Sequence, residues 1–464
     1  MPRKTRARKA AEPQQEGEST PRSPNIDSLP NELLLRVFRH LARVGGLDDD
    51  EPRWFHRRFP FRKLEWDIEW HRGLRAYPFL AQVCQRWKHI LDSPAALGLW
   101  DEVTVDFGHE VVTSIHCPLE WSNRRPTEDE FRQSFAVTQL SSEKMIRFVD
   151  KRREHIRSLT LLNSEGYWSD EGDFVNLTRK HNFSCAHLGM LVGVLRNHLQ
   201  ELTMCHCNDL IMVGEPHAPL GVLGLLPNLR TLTIDCLRCR LKGEGLSSLS
   251  NLRKLENLSI SAEKQVGVWA VGLDTLPPSW ACLTTIRKLE LRSNCMLNEM
   301  PAYITNWPHL TALDISLCRS LSLTFLQSLR NLTSLALQGL NIVDTDFPAV
   351  PAHYRSMPSL AHFSALEALN LANNRLMEVP QMLAEVKSLT CLDLSGNYLM
   401  KIPKSPTALM HLPNLAVVDM RGVHVETDIS YWSEAKCTSM RHVVALSKHL
   451  RRRPFPTHVL MDCE

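Results

Sequence analysis

Between residues 156 and 420 the chain keeps returning to one order of apolar and polar positions: an aliphatic residue, two others, leucine, one other, an aliphatic residue, two others, then asparagine or cysteine. Leu366, Leu369, Leu371, Asn374 and Leu376 make the clearest copy, and Leu389, Leu392, Leu394, Asn397 and Leu399 the next. Residues two apart on a strand share a face, so Leu369 and Leu371 point inward together, while Glu367, Ala368, Asn370 and Ala372 cannot all follow them. The asparagine or cysteine then satisfies backbone polar groups of a turn, and the chain returns through a helical or irregular segment. Each copy predicts one short strand with its apolar side turned to a core.

This spacing is the leucine-rich-repeat signature. Ile286, Leu289, Leu291 and Asn294 repeat it; Leu310, Leu313, Ile315 and Cys318, and Leu199, Leu202, Met204 and Cys207, are cysteine variants. Less regular copies start at Ile156, Leu229, Leu255, Leu332 and Leu415, which makes ten in all. Starts lie 23 residues apart from Leu366 to Leu389 and 24 from Ile286 to Leu310, but 43 from Ile156 to Leu199, where an insertion or an unseen repeat is implied. A single copy cannot bury its apolar face alone, whereas a stack builds a continuous core. The expectation over residues 150–426 is a curved solenoid with a parallel sheet on its concave side.

A different periodicity precedes it. In residues 26–41, IDSLPNELLLRVFRHL, Pro30 suits a first helical turn, Glu32 favours the positive helix end, and Leu33, Leu34, Val37, Phe38 and Leu41 form one apolar face. A second helical segment carries Val83, Cys84, Trp87 and Ile90, followed by Ser93, Pro94, Leu99 and Trp100. Together these resemble the F-box, the helical module that docks substrate receptors onto the Skp adaptor of cullin-based ubiquitin ligases. The resemblance implies a module over residues 26–105, with Leu29, Pro30, Leu33, Leu34, Val37, Phe38 and Trp87 as the adaptor-binding residues, Trp87 with Cys84 mainly supporting the helical packing. The 41 residues between Leu41 and Val83 exceed the usual connection. They hold an aromatic-rich insertion, residues 45–73, whose composition fits a packed subelement better than a solvated linker. A plain helical cap on the first repeat is the alternative that the residues leave open.

Composition bounds the rest. The chain has 464 residues, 43% of them hydrophobic, enough to bury a large core, and no run of 18 apolar residues suggests a membrane span. Basic residues crowd residues 1–24, read as a disordered tail that resembles a nuclear import signal; no secretory leader precedes the repeats, so a cytoplasmic or nuclear protein with reduced thiols is expected. Residues 106–149 read as a linker or capping region. In residues 427–464, Val443, Leu446 and Leu450 predict a cap helix. Net charge is only +3, which implies no general attraction to nucleic acid or membrane. Cys205, His206, Cys207, Cys236 and Cys239 have ligand chemistry, but Cys207 already serves as a turn cysteine, and neither a metal nor another cofactor is expected.

No phosphate loop, nucleophile elbow or zinc-protease motif is present, so the chain reads as non-catalytic. The resemblance accordingly implies the substrate receptor of a Skp–cullin–F-box ligase, linked through the adaptor to cullin and RING subunits, with an unidentified protein target held on the repeats; the alternative is a repeat scaffold with no ubiquitin role. The middle variable position of the later repeats supplies Glu290, Asp314, Asp393 and Asp419, with Arg292 nearby. These are the expected substrate-binding residues, an outward acidic column suited to a basic segment, unless local turn chemistry explains the acids.

Overall fold

The computed structural model describes residues 30–34, 86, 89–90, 93, 101–106, 146–162, 185–205, 207, 219–237, 240–262, 272–343, 355–356, 358–377, 379–397, 409, 411–421 and 458–460. All ten copies of the leucine spacing yield a strand: β2 (Ser158–Leu162), β3 (Glu201–Cys205), β4 (Thr231–Leu237), β6 (Asn257–Ala262), β8 (Lys288–Glu290), β9 (Ala312–Asp314), β10 (Ser334–Ala336), β13 (Ala368–Asn370), β14 (Cys391–Asp393) and β15 (Val417–Asp419). With β1 (Glu102–Asp106) before them and β16 (His458–Leu460) after, they form one twelve-stranded sheet in chain order. Two small side sheets pair β5 (Arg240–Leu241) with β7 (Gly272–Leu273) and β11 (Ile342–Val343) with β12 (Arg355–Ser356).

Every pairing in the main sheet is parallel, and the register stacks like on like: Leu202 on Leu232, Leu289 on Leu313, Leu369 on Leu392. Those leucines are at most 1% exposed. The row continues without interruption from repeat to repeat, which is how one apolar face per copy becomes a single core. The long step from Ile156 to Leu199 is an insertion and hides no further repeat, because β2 pairs directly with β3.

The return segments are mostly 3-10 turns, and the sequence explains why. Ile304, Trp307 and Leu310 recur every third residue, as do Trp280, Leu283 and Ile286, and Leu383, Val386 and Leu389; all are buried. A helix with three residues per turn puts such a series on one side. Trp280, fully buried, also donates its indole N–H to the Leu246 carbonyl of the preceding return segment at 3.0 Å. The insertion before β3 departs from this rule with an eleven-residue α-helix, α1 (Cys185–Leu195).

Two strands fall outside the solenoid limits read from sequence. β1 lies where the helical module was expected to end: EVTVD alternates at period two, and pairing with β2 extends the sheet to it. β16 lies in the expected C-terminal cap and pairs with β15, so part of that cap is strand; Val443, Leu446 and Leu450 are outside the described residues. At the other end, residues 31–34 form a helical turn in which the Pro30 carbonyl accepts the Leu33 and Leu34 amides. Arg86 donates twice to Asn31 Oδ1, at 2.9 and 3.3 Å, tying the two F-box-like segments together. Leu34 and Ile90 are buried in the same core as the repeats.

Candidate functional site

An open repeat sheet offers its ligand the face opposite the leucines, and that face rests on a layer of buried turns. Asn374 Nδ2 donates to the Leu337 and Leu371 carbonyls, both at 2.9 Å, while its Oδ1 accepts the Leu340 and Ile342 amides. Asn397 repeats this with Leu371, Leu394 and Leu376, and Asn294 with Ile260 and Leu273. Cys318 takes the same place with a thiol 2.7 Å from the Leu291 carbonyl, and Cys207 with one 3.5 Å from that of Leu161. The residue just before the ladder position is left-handed in five consecutive repeats, at Ser293, Leu317, Gly339, Asn373 and Gly396. A Cβ on Gly396 would meet Asn373 Oδ1 at 2.2 Å, so glycine lets the Asn373 side chain lie where it does.

The acidic column stands one step earlier on the strands, and the structure gives it a different character from the one expected. Glu290, Asp314, Asp393 and Asp419 are 1–8% exposed, and Arg292 is 6% exposed. Three of the four acids close their own turns: Asp314 accepts the Ser316 amide at 2.9 Å, Asp393 the Ser395 amide at 2.9 Å and hydroxyl at 2.6 Å, and Asp419 the Arg421 amide at 3.0 Å. Asn370 does the same for Ala372 at 2.8 Å. Cations cover what remains. Arg292 binds Asp314, Lys288 Nζ lies 2.7 Å from Glu290, and Arg421 grips Asp419 through two nitrogens. The outward, free acidic column is therefore corrected to a buried, internally bonded one, shaped by local turn chemistry: Arg292 reaches Asp314 of the next repeat, while Lys288 and Arg421 pair with acids two positions away in their own repeats.

The electrostatics follow from that packing. Burial opposes ionisation of Glu290, but Arg292 and Lys288 hold its carboxyl below the ordinary value. Arg292 is likewise desolvated, yet Asp314 and Glu290 keep it more firmly protonated than usual. Asp393 goes the other way: burial and the neighbouring Asp419 carboxylate push it up to about 6. The turn serines were not singled out in advance; their signal was the repeated Asp-x-Ser of LDIS and LDLS.

Among the proposed adaptor contacts, Pro30 is exposed, Leu33 is 41% exposed and Leu34 is fully buried. Leu29, Val37, Phe38 and Trp87 lie outside the described residues. Of the cysteine cluster, Cys205 and Cys207 are described and buried, and no group of side chains suited to a metal ion occurs among the described residues.

Compared with known proteins, residues 388–411 match the model of the leucine-rich-repeat family. An internalin, InlF, of Listeria monocytogenes is 16% identical over 59% of this chain and 69% of its own, with a TM-score of 0.31. Internalin C2 of the same organism is 21% identical over 46% and 79%, with a TM-score of 0.30. No curated protein matches the chain. The matched repeat is one of ten copies of the leucine spacing, and all ten lie as parallel strands of one sheet, so the architecture is that of a leucine-rich-repeat solenoid.

Proposed function

We propose that the chain is the substrate-recognition subunit of a Skp–cullin–F-box ubiquitin ligase, docking a Skp-family adaptor through its N-terminal helices and presenting target proteins on the repeats. The observation that carries this reading is the division of labour between Leu33 and Leu34. Adjacent leucines on one helical turn, about 100° apart around its axis, meet different surroundings: Leu34 is buried against the rest of the chain and Leu33 is 41% exposed. An exposed leucine beside a buried one, at the start of an amphipathic helix, leaves an apolar contact that a partner helix could cover. The F-box-like order of residues 26–41 and 83–100, and the bond from Arg86 to Asn31, support the same reading.

In this role the subunit needs no reacting side chain: it raises the effective concentration of a target near the ubiquitin-carrying subunits. The target would lie across the face beneath which Glu290, Arg292, Asp314, Asp393 and Asp419 are buried, their mutual bonds holding that surface in shape.

Affinity capture of the full chain with a purified Skp-family adaptor tests the proposal, beside a Leu33→Lys, Val37→Lys double variant. Capture by the wild type and its loss in the variant is the expected result. Failure of both to bind would leave a repeat scaffold without a ubiquitin role, its helices serving as a cap; the burial of Leu34 and Ile90 in the repeat core favours that second reading.

A further inference from the structure

The rim of the sheet at which each return segment turns into its strand has an uneven charge. The stacking there is fixed by a backbone ladder in which Gln200 donates to the Arg157 carbonyl, Arg230 to Gln200, Glu256 to Arg230 and Arg287 to Glu256, at 2.7–2.8 Å. Equivalent side chains of successive repeats are thereby held one strand spacing apart. The five turns entering β2, β3, β4, β6 and β8 (residues 150–157, 196–201, 227–230, 253–256 and 284–287) carry nine lysines and arginines against four carboxylates. The five turns entering β9, β10, β13, β14 and β15 (residues 308–311, 330–333, 364–367, 387–390 and 413–416) carry two against one. Positive charge is thus concentrated along the first half of one rim of a chain whose net charge is only +3.

Part of this charge is structural. Arg253 Nη1 donates to the Cys282 carbonyl of the next repeat at 3.2 Å, and Glu256 sits between Arg230 and Arg287. Lys151 and Arg196 are different: both are exposed, and among the described residues neither side chain has a hydrogen bond or ion pair. Architecture does not use these two cations, and they flank the ones it does use.

From this geometry we infer a docking surface for an acidic protein segment along the rim from β2 to β8, separate from the leucine-opposite face and independent of the ligase reading. Charge complementarity selects the partner's sign, since a row of like charges raises the local concentration of an oppositely charged segment and speeds its association. Length fits as well: five strands at about 4.8 Å spacing span roughly 20 Å, the reach of six or seven extended residues at about 3.3 Å each. A protein segment is favoured over single-stranded nucleic acid because the five turns contain no phenylalanine, tyrosine or tryptophan on which bases could stack, their rings being the small imidazoles of His155 and His198. The neighbouring Phe148 is capped by the Arg152 guanidinium, 4.2 Å from its ring centre.

The test is fluorescence anisotropy of the full chain with a labelled decaglutamate peptide in about 0.15 M salt, with decalysine and a ten-nucleotide thymidine strand as comparison probes. Lys151→Glu, Arg196→Glu, Arg287→Glu together should weaken decaglutamate binding at least about ten-fold, while Arg330→Glu with Lys387→Glu on the second half of the rim should change it less than about two-fold. A neutral Lys151→Gln, Arg196→Gln, Arg287→Gln variant, expected to show a smaller loss, replaces the reversal should that protein fail to keep the wild-type circular dichroism. Absence of decaglutamate binding, an equal loss from both sets of substitutions, or tighter binding of the thymidine strand would each overturn the assignment.

Discussion

At the scale of single residues, asparagine at the ladder position does more than cysteine can. Asn397 donates to two carbonyls and accepts an amide, whereas the Cys318 thiol serves one carbonyl. Both work because either can sit in a dry turn without leaving its own polar group orphaned. Asp393 is the residue whose placement carries a cost. Its carboxyl rises from 3.8 to about 6 because it is buried beside Asp419. A raised carboxylate favours the folded state while it is protonated, and that contribution is lost as pH climbs from about 4 through 6. Asp393→Asn keeps an oxygen for the Ser395 amide and hydroxyl but cannot ionise. The variant should therefore match the wild type near pH 4 and exceed it near pH 7.5 by on the order of 2 kcal/mol, read from urea denaturation midpoints across that range. An unchanging difference would remove the charge explanation.

At the scale of elements, strands were legible in the sequence and their partners were less so. Leu369 and Leu371 announce a strand because only period two puts both in a core, and the ten-fold recurrence fixes a parallel stack. The 3-10 returns were also written there, in the every-third spacing of Ile304, Trp307 and Leu310, but a short series of that kind is equally an irregular turn until neighbouring repeats pack against it. β1 has only a loose form of the spacing, in Trp100, Val103 and Val105, and β16 lacks it; pairing with an existing edge makes them strands. Burial of the acidic column was only half legible: Lys288 and Arg421 stand two residues from Glu290 and Asp419 in the sequence, but the bond from Arg292 to Asp314 depends on how the strands pack. Trp280 tests how far a return element supports its neighbour. Trp280→Ala should cost about 3–5 kcal/mol through the cavity alone, and Trp280→Phe about 1–2 kcal/mol through loss of the bond to Leu246. Chemical denaturation of both variants would separate packing from stapling, and equal effects would discount the bond.

At the scale of the molecule, each repeat touches its neighbours and little else, so the ends set the limits of the array. β16 covers the edge that β15 would otherwise leave open. A chain ended at Arg421 exposes that row of backbone groups, and an open edge is a template for another chain. It should unfold at a lower temperature and elute as a larger, concentration-dependent species in size-exclusion chromatography; a monomer of unaltered midpoint would show that β16 contributes nothing. The α-helix at Cys185–Leu195 has a consequence of another kind. A helix is about 10 Å across, while strands stack about 4.8 Å apart. The slimmer 3-10 returns approach the pace of the strands, so a helix as wide as α1 on the outer side should spread the stack more at β3 than those returns do elsewhere. An array spread unevenly in this way would bend most beside that strand, and a rigid ligand shaped to one half of the arc would rock against the other.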